Sequence, residues 1–103
     1  MHAVEAAALI YRRELSNPPS IDDLARRVGL NRNSLSEAFR ERFGETPASF
    51  SRRMRLEWAR EQLNARTGRV SEIAMACGYT SHAAFSRSFL EQFGKPPSKT
   101  KSA

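Results

Sequence analysis

Apolar side chains recur at intervals of three and four residues along most of the chain, which is the period of amphipathic α-helices. The first such run, from Val4 to Leu15, predicts a helix over about 3–15, and the Asn-Pro-Pro sequence at 17–19 ends it. Later runs predict helices over about 21–28, 32–43, 47–64, 70–77 and 82–93. No segment has the alternating pattern of a strand, so the pattern predicts an all-α fold of about six to seven helices.

Residues that typically begin and end helices lie at these predicted boundaries. Ser20, followed three residues later by Asp23, resembles a capping box at the start of the second helix. Gly29 predicts a tight turn with a positive φ after that helix. Thr46-Pro47 combines an N-cap with a proline at the first helical position, and opens the longest helix. The polar tail at 95–103 is expected to be frayed.

One segment of the chain occurs twice. The run Asp23–Pro47, DLARRVGLNRNSLSEAFRERFGETP, is repeated at Glu72–Pro97 as EIAMACGYTSHAAFSRSFLEQFGKPP. Identical residues match at an offset of 49 up to Gly29 and at an offset of 50 from Ser36 onward. The second copy therefore has one more residue in the predicted turn, where an insertion is tolerated. We expect two helix-turn-helix units, over about 21–44 and about 70–94.

The longer helix of each copy has an apolar face and an opposite polar face. The apolar faces carry Leu35, Ala38, Phe39 and Phe43 in the first copy, and Phe85, Phe89 and Phe93 in the second. The outward faces carry Asn33, Ser36, Glu37 and Arg40 in the first copy, and His82, Ala83, Ser86, Arg87 and Leu90 in the second. A short, polar and partly basic face suits a helix laid into a major groove. An ordinary solvated face looks the same in a single helix, but two copies favour a ligand that also repeats, such as duplex DNA.

The predicted helix over about 47–64 is apolar on two sides. One stripe consists of Leu56, Ala59 and Leu63, and the other consists of Phe50, Met54 and Trp58. A helix with two apolar sides packs against two partners. We therefore expect a linker helix that joins the two units and fixes their separation.

Charge and cysteine content favour an anionic partner in a reducing compartment. The 103 residues have a net charge of +6, and only three of the 17 basic residues are lysine. Arginine donates bidentate hydrogen bonds to phosphate and to guanine edges. Cys77 is the only cysteine, which excludes an internal disulfide. The start of the chain resembles neither a signal peptide nor a membrane span, so we expect a cytoplasmic, nucleoid-associated protein.

No set of residues in the sequence favours catalysis or a cofactor. Cys77 matches Val28 of the first copy and is interpreted as a small core residue, and His82 has no third ligand near it in the sequence. A glycine-rich phosphate loop is also lacking. We predict no enzyme activity, no metal and no cofactor. The alternative is a helical protein-interaction or adaptor module, which salt-dependent binding of duplex DNA would discriminate against.

Three stretches resemble the DNA-binding domain of the AraC/XylS family of transcription regulators. Ser71–Ser98 is similar to the family's IA-x-x-x-GF-…-FSRxFKxxFGxxPS run, and Arg53–Leu63 resembles its linker-helix motif RL-x-x-A-x-x-L-L. LARRVGL…LSEAFRERFGETP matches the first unit of the family. The resemblance covers about residues 5–98. The chain departs from the pattern at Leu30-Asn31, where Met-Ser is usual, at Tyr79, where Phe is common, and in the tail PSKTKSA.

The resemblance implies that two recognition helices enter successive major-groove segments on one face of double-stranded DNA. The family's base-contact positions fall on Asn33, Ser36 and Glu37 in the first unit, and on His82, Ala83, Ser86 and Arg87 in the second. Arg87 can pair bidentately with guanine, whereas Glu37 can accept from cytosine N4 or can pair with Arg40. Candidates for phosphate contact are Arg32, Arg40, Arg52, Arg53, Lys95 and Lys99. The resemblance also implies RNA polymerase and a separate sensing or dimerisation domain as partners.

Overall fold

The computed structural model describes residues 2–100, and the regular structure in this range is helical. The elements are α1 (Ala3–Arg13), α2 (Ile21–Arg27), α3 (Arg32–Phe43), α4 (Pro47–Ala65), α5 (Val70–Ala76), α6 (His82–Phe93) and a 3-10 turn (Pro97–Lys99). The predicted all-α class and the predicted order of helices are confirmed. Residues 101–103 of the predicted tail lie outside the described residues. Between residues 2 and 100, no helix is both long and apolar enough to cross a membrane.

The chain divides into two compact units whose boundary falls inside α4, between Met54 and Arg55. Each unit contains one helix-turn-helix pair, α2–α3 in the first and α5–α6 in the second. The core of the first unit includes Tyr11, Leu24, Leu35, Phe39 and Phe50. The core of the second unit includes Leu56, Leu63, Ile73, Phe85 and Phe89. The duplicated sequence thus folds into two separately cored helix-turn-helix units that α4 joins.

The long helix α4 divides its apolar residues between the two cores along its length. Phe50 and Met54 belong to the first cluster, and Leu56, Ala59 and Leu63 belong to the second, as the two stripes predict. Trp58 also packs against the second cluster, so its predicted grouping with Phe50 and Met54 is wrong. Trp58 contacts the second cluster because it lies about 6 Å further along the helix axis than Met54, beyond the boundary between the two units.

Each helix-turn-helix unit has a capped recognition helix. The Asn31 side chain accepts the Ser34 backbone N–H at 2.8 Å at the start of α3, and the Ser81 hydroxyl accepts the Ala84 N–H at 3.2 Å at the start of α6. Both helices end at a glycine in the left-handed region, Gly44 with φ of 73° and Gly94 with φ of 76°. The departure at Leu30-Asn31 thus leaves the N-terminus of α3 intact, because asparagine caps as well as serine does.

The chain after α6 is ordered by a buried proline. Pro97 is buried and begins the 3-10 turn, in which the Thr100 N–H donates to the Pro97 carbonyl at 3.1 Å. Pro47, its counterpart in the first copy, is likewise buried and begins α4. The expectation of a frayed tail is therefore wrong up to residue 100, because the repeat extends to the proline that anchors the chain.

Candidate nucleic-acid interface

The recognition helices α3 and α6 present matched surfaces. Each residue over 31–40 has the same class of burial as its counterpart 50 positions later in the chain. Leu35 and Phe39 are fully buried at 0% exposure, and so are Phe85 and Phe89. The predicted base-contact residues lie on the opposite side: Asn33, Glu37, His82, Ala83 and Arg87 are exposed, whereas Ser36 and Ser86 are half-buried. The structure thus places each predicted set together on the outward face of one helix.

Aromatic packing fixes the rotation of α3 within the first unit. The ring of Phe39 packs against Tyr11 of α1, with centroids 6.0 Å apart, and against Phe50 of α4 at 5.3 Å. Phe43 packs on Phe50 at 4.7 Å. Such edge and tilted contacts add stability beyond the area they bury. Because these rings hold one face of α3 in the core, the opposite face is directed outward.

The second unit holds α6 in the same way. The Phe89 ring lies 5.6 Å from Phe85 and 4.6 Å from Phe93, and Tyr79 packs edge-on against Phe85 at 5.5 Å. Two arginines of α4 cover the rim of this cluster. Arg55 lies 5.1 Å from the Tyr79 ring, and Arg60 lies 4.2 Å from the Phe93 ring, at cation–π distances.

Two of the six predicted phosphate contacts, both in the first unit, are in ion pairs with carboxylates. Arg32 donates to both oxygens of Asp22 at 2.9 and 2.8 Å, and these hydrogen bonds lower the pKa of the Asp22 carboxyl. Arg53 donates to Glu45 at 2.9 and 2.6 Å. Burial alone would raise the pKa of Glu45. Hydrogen bonds from Arg53 and Ser49 lower it by more than burial raises it, so the pKa lies below its ordinary value. Neither pair could be predicted from the sequence, because ten and eight residues separate the partners and no helical spacing relates them.

The other predicted phosphate contacts are exposed cations. Arg40 and Arg52 lie on the surface of the first unit, and Lys95 and Lys99 lie on the surface of the second. Among residues 2–100, no ion pair joins Glu37 to Arg40, so the predicted alternative in which these two residues pair is wrong. Both side chains are exposed, so the Glu37 carboxylate is accessible to a ligand.

Cys77 is a buried core residue of the second unit, as its match to Val28 predicts. Its thiol donates to the Ala74 carbonyl at 3.4 Å. Burial raises the pKa of the thiol to about 11, so it remains protonated and unreactive at neutral pH. Within residues 2–100, no group of three or more His, Cys, Asp or Glu side chains could hold a metal ion.

Two helix-turn-helix units, each with an outward-facing recognition helix, define a double helix-turn-helix DNA-binding domain. A family model described as a helix-turn-helix domain matches residues 24–103. The chain belongs to the AraC-type helix-turn-helix family of DNA-binding transcription regulators.

Sequence and structure comparisons agree on this family. The chain is 33% identical over 87 residues to the HTH-type transcriptional regulator CdhR of Pseudomonas aeruginosa, a match that covers 84% of this chain and 26% of CdhR. It is similar to an AraC-type transcriptional regulator structure from Chromobacterium violaceum, with a TM-score of 0.91, 27% identity and coverage of 96% of this chain and 88% of that one. A probable AraC family regulator from Rhodopseudomonas palustris gives a TM-score of 0.83 and 27% identity, covering 97% and 94% of the two chains. The chain spans about a quarter of the length of CdhR and of GbdR, another curated relative from Pseudomonas aeruginosa.

Proposed function

We propose that residues 1–103 form the sequence-specific double-stranded-DNA-binding domain of a bacterial transcription regulator. In this proposal α3 and α6 enter successive major-groove segments of one duplex. The observation that carries it is the matched surface of the two helices, in which the same positions are buried and the same positions are exposed. A ligand that offers the same groove twice, one helical turn apart, suits two such surfaces.

The exposed side chains on the two helices suit the donor and acceptor pattern of base edges. Arg87 can donate two hydrogen bonds to O6 and N7 of one guanine, and Asn33 can pair with the N6 and N7 edge of adenine. Glu37 can accept from cytosine N4, since no arginine within residues 2–100 is in an ion pair with it. Ser36, Ser86 and His82 are short hydrogen-bonding groups, and Ala83 leaves space for a close approach of the helix to the groove floor.

Phosphate contacts would supply most of the affinity and would position the domain. Arg40, Arg52, Lys95 and Lys99 are exposed and are our first candidates for this role. Arg32 and Arg53 are held by carboxylates, so a phosphate would have to compete with Asp22 or Glu45 for each guanidinium. We therefore expect smaller effects from replacing these two.

The full-length regulator would have further partners. We expect a separate sensing or dimerisation domain, because this chain spans 26% of CdhR, and contact with RNA polymerase at the promoter. A DNA-binding role also implies a cytoplasmic, nucleoid-associated location. We propose neither a catalytic activity nor a cofactor, since the family is one of transcription regulators rather than enzymes.

Binding of duplex DNA as a function of salt tests the proposal. A duplex chosen by selection from random sequences should bind with an affinity that falls steeply between about 50 and 200 mM salt, with a log–log slope of about −0.9 per phosphate neutralised. The variant Arg52→Ala should make this slope shallower by about 0.9. Arg12→Ala removes another exposed arginine, near the C-terminus of α1, and serves as the matched control that should leave the slope unchanged. An affinity that hardly changes with salt, or a selection that yields no preferred sequence, would favour the adaptor module instead.

A further inference from the structure

The outward face of α6 carries a large apolar side chain beside its polar residues. Leu90 is 48% exposed, and only Met75 shares this property among the large hydrophobic residues at 2–100. Its counterpart in the first copy, 50 positions earlier, is the exposed Arg40. Leu90 is not part of the core cluster of the second unit, whereas the neighbouring Phe89 is fully buried in it. The Leu90 side chain is therefore accessible to a ligand of the outward face of α6.

Leu90 continues the row of base-contact candidates on α6. It follows Arg87 by three residues and Ser86 by four, which are the spacings of neighbours on one helical face. It lies about 4.5 Å beyond Arg87 along the helix axis, a little more than the rise of one base-pair step. The backbone there is fixed, because the Leu90 carbonyl accepts the Gly94 N–H at 2.8 Å in the helix cap. A groove that receives Arg87 would therefore also receive Leu90.

The chemistry of the major groove restricts what an aliphatic side chain can recognise there. Leucine can neither donate to phosphate nor pair with a polar base edge. The apolar group on the groove floor is the 5-methyl group of thymine, which 5-methylcytosine also carries. We propose that Leu90 reads the 5-methyl group of a pyrimidine within about two base pairs of the base contacted by Arg87. This inference rests on the proposed DNA-binding function and names a specificity determinant within it.

Single-group substitution in the DNA tests the inference. Each thymine of a selected site is replaced in turn by deoxyuridine, which lacks only the methyl group, and binding is measured by fluorescence anisotropy. One replacement should weaken binding of the unaltered protein about fourfold, the factor that corresponds to about 0.8 kcal/mol for one buried methyl-sized group. Leu90→Ala should bind the thymine and deoxyuridine duplexes equally at that position. Met75→Ala, which removes the other exposed apolar side chain, should keep the fourfold preference.

Cytosine and 5-methylcytosine at the same position separate the two sources of the methyl group. If 5-methylcytosine restores affinity over cytosine in the unaltered protein but not in Leu90→Ala, the methyl group itself is what Leu90 recognises. If 5-methylcytosine gives no gain over cytosine while deoxyuridine still weakens binding in a Leu90-dependent way, Leu90 recognises the methyl group of thymine. The inference is overturned if no deoxyuridine replacement has an effect that Leu90→Ala removes, while specific binding persists. If the unaltered protein shows no sequence-specific binding of any duplex, the proposed function is refuted, and this inference with it.

Discussion

The two helix-turn-helix units have the same pattern of burial on their recognition helices but different surface charge. Residues 1–54 contain nine arginines against seven acidic residues, whereas residues 55–103 contain eight basic residues against four acidic ones. In the first unit, carboxylates bind Arg26, Arg27, Arg32, Arg42 and Arg53. In the second unit Arg87 and Lys95 are exposed, and neither is in an ion pair within residues 2–100.

The difference shows that the duplication has preserved the core and not the surface. Buried phenylalanines determine which face of the helix points outward, so they are constrained alike in both copies. The outward residues are constrained only by the ligand, and Glu37 stands where the second copy has Arg87. We expect the second unit, which has the larger net positive charge and Arg87 on its outward face, to contribute more to base discrimination.

The first prediction, with the largest expected effect, concerns whether the two cores contribute equally to stability. Phe39→Ala and Phe89→Ala should each lower the free energy of unfolding by about 3–5 kcal/mol, because each leaves a cavity in a fully buried cluster. Chemical denaturation measures both, with Met75→Ala as an exposed control expected to change stability by less than about 0.5 kcal/mol. If one phenylalanine can be truncated without loss, the two units are not built on equivalent cores.

The second prediction concerns discrimination by the two units. Arg87→Ala should weaken binding of a cognate duplex by about 1–3 kcal/mol and relax the preference at one base pair. Glu37→Ala should alter discrimination less, and should tighten binding of unrelated DNA because it removes a negative charge near phosphates. Titration of matched and single-base-substituted duplexes measures both effects. Equal losses of discrimination from the two variants would remove the asymmetry between the units.

The third prediction concerns the N-caps of the two recognition helices and has the smallest expected effect on stability. Asn31→Ala and Ser81→Ala should each cost about 1 kcal/mol of stability, because each leaves a backbone N–H of the first helical turn without its acceptor. Asn31→Ser should restore most of the loss, since serine caps equally well. Thermal unfolding of the three variants measures this. A much larger loss from either alanine variant would mean that the residue does more than cap.

Local signals in the sequence were sufficient to predict the helices and the outward faces of α3 and α6. The glycines, caps and prolines placed most boundaries within one or two residues, because those residue types act on the backbone next to them. The position of Trp58 and the pairing of Arg32 with Asp22 could not be predicted, because both depend on which segments meet in the fold. Which bases the exposed residues contact depends on the DNA as well, and the chain alone does not contain that information.

Footprinting on a selected asymmetric site tests most directly whether both units read one duplex. Hydroxyl radicals report the covered backbone, and methylation of guanine N7 reports the major groove. We expect two protected major-groove segments about 10 bp apart on one side of the duplex. Arg87→Ala should remove the guanine protection in one segment and leave the other intact. A single protected segment, or unchanged guanine protection with Arg87→Ala, would show that the two units do not read one duplex together.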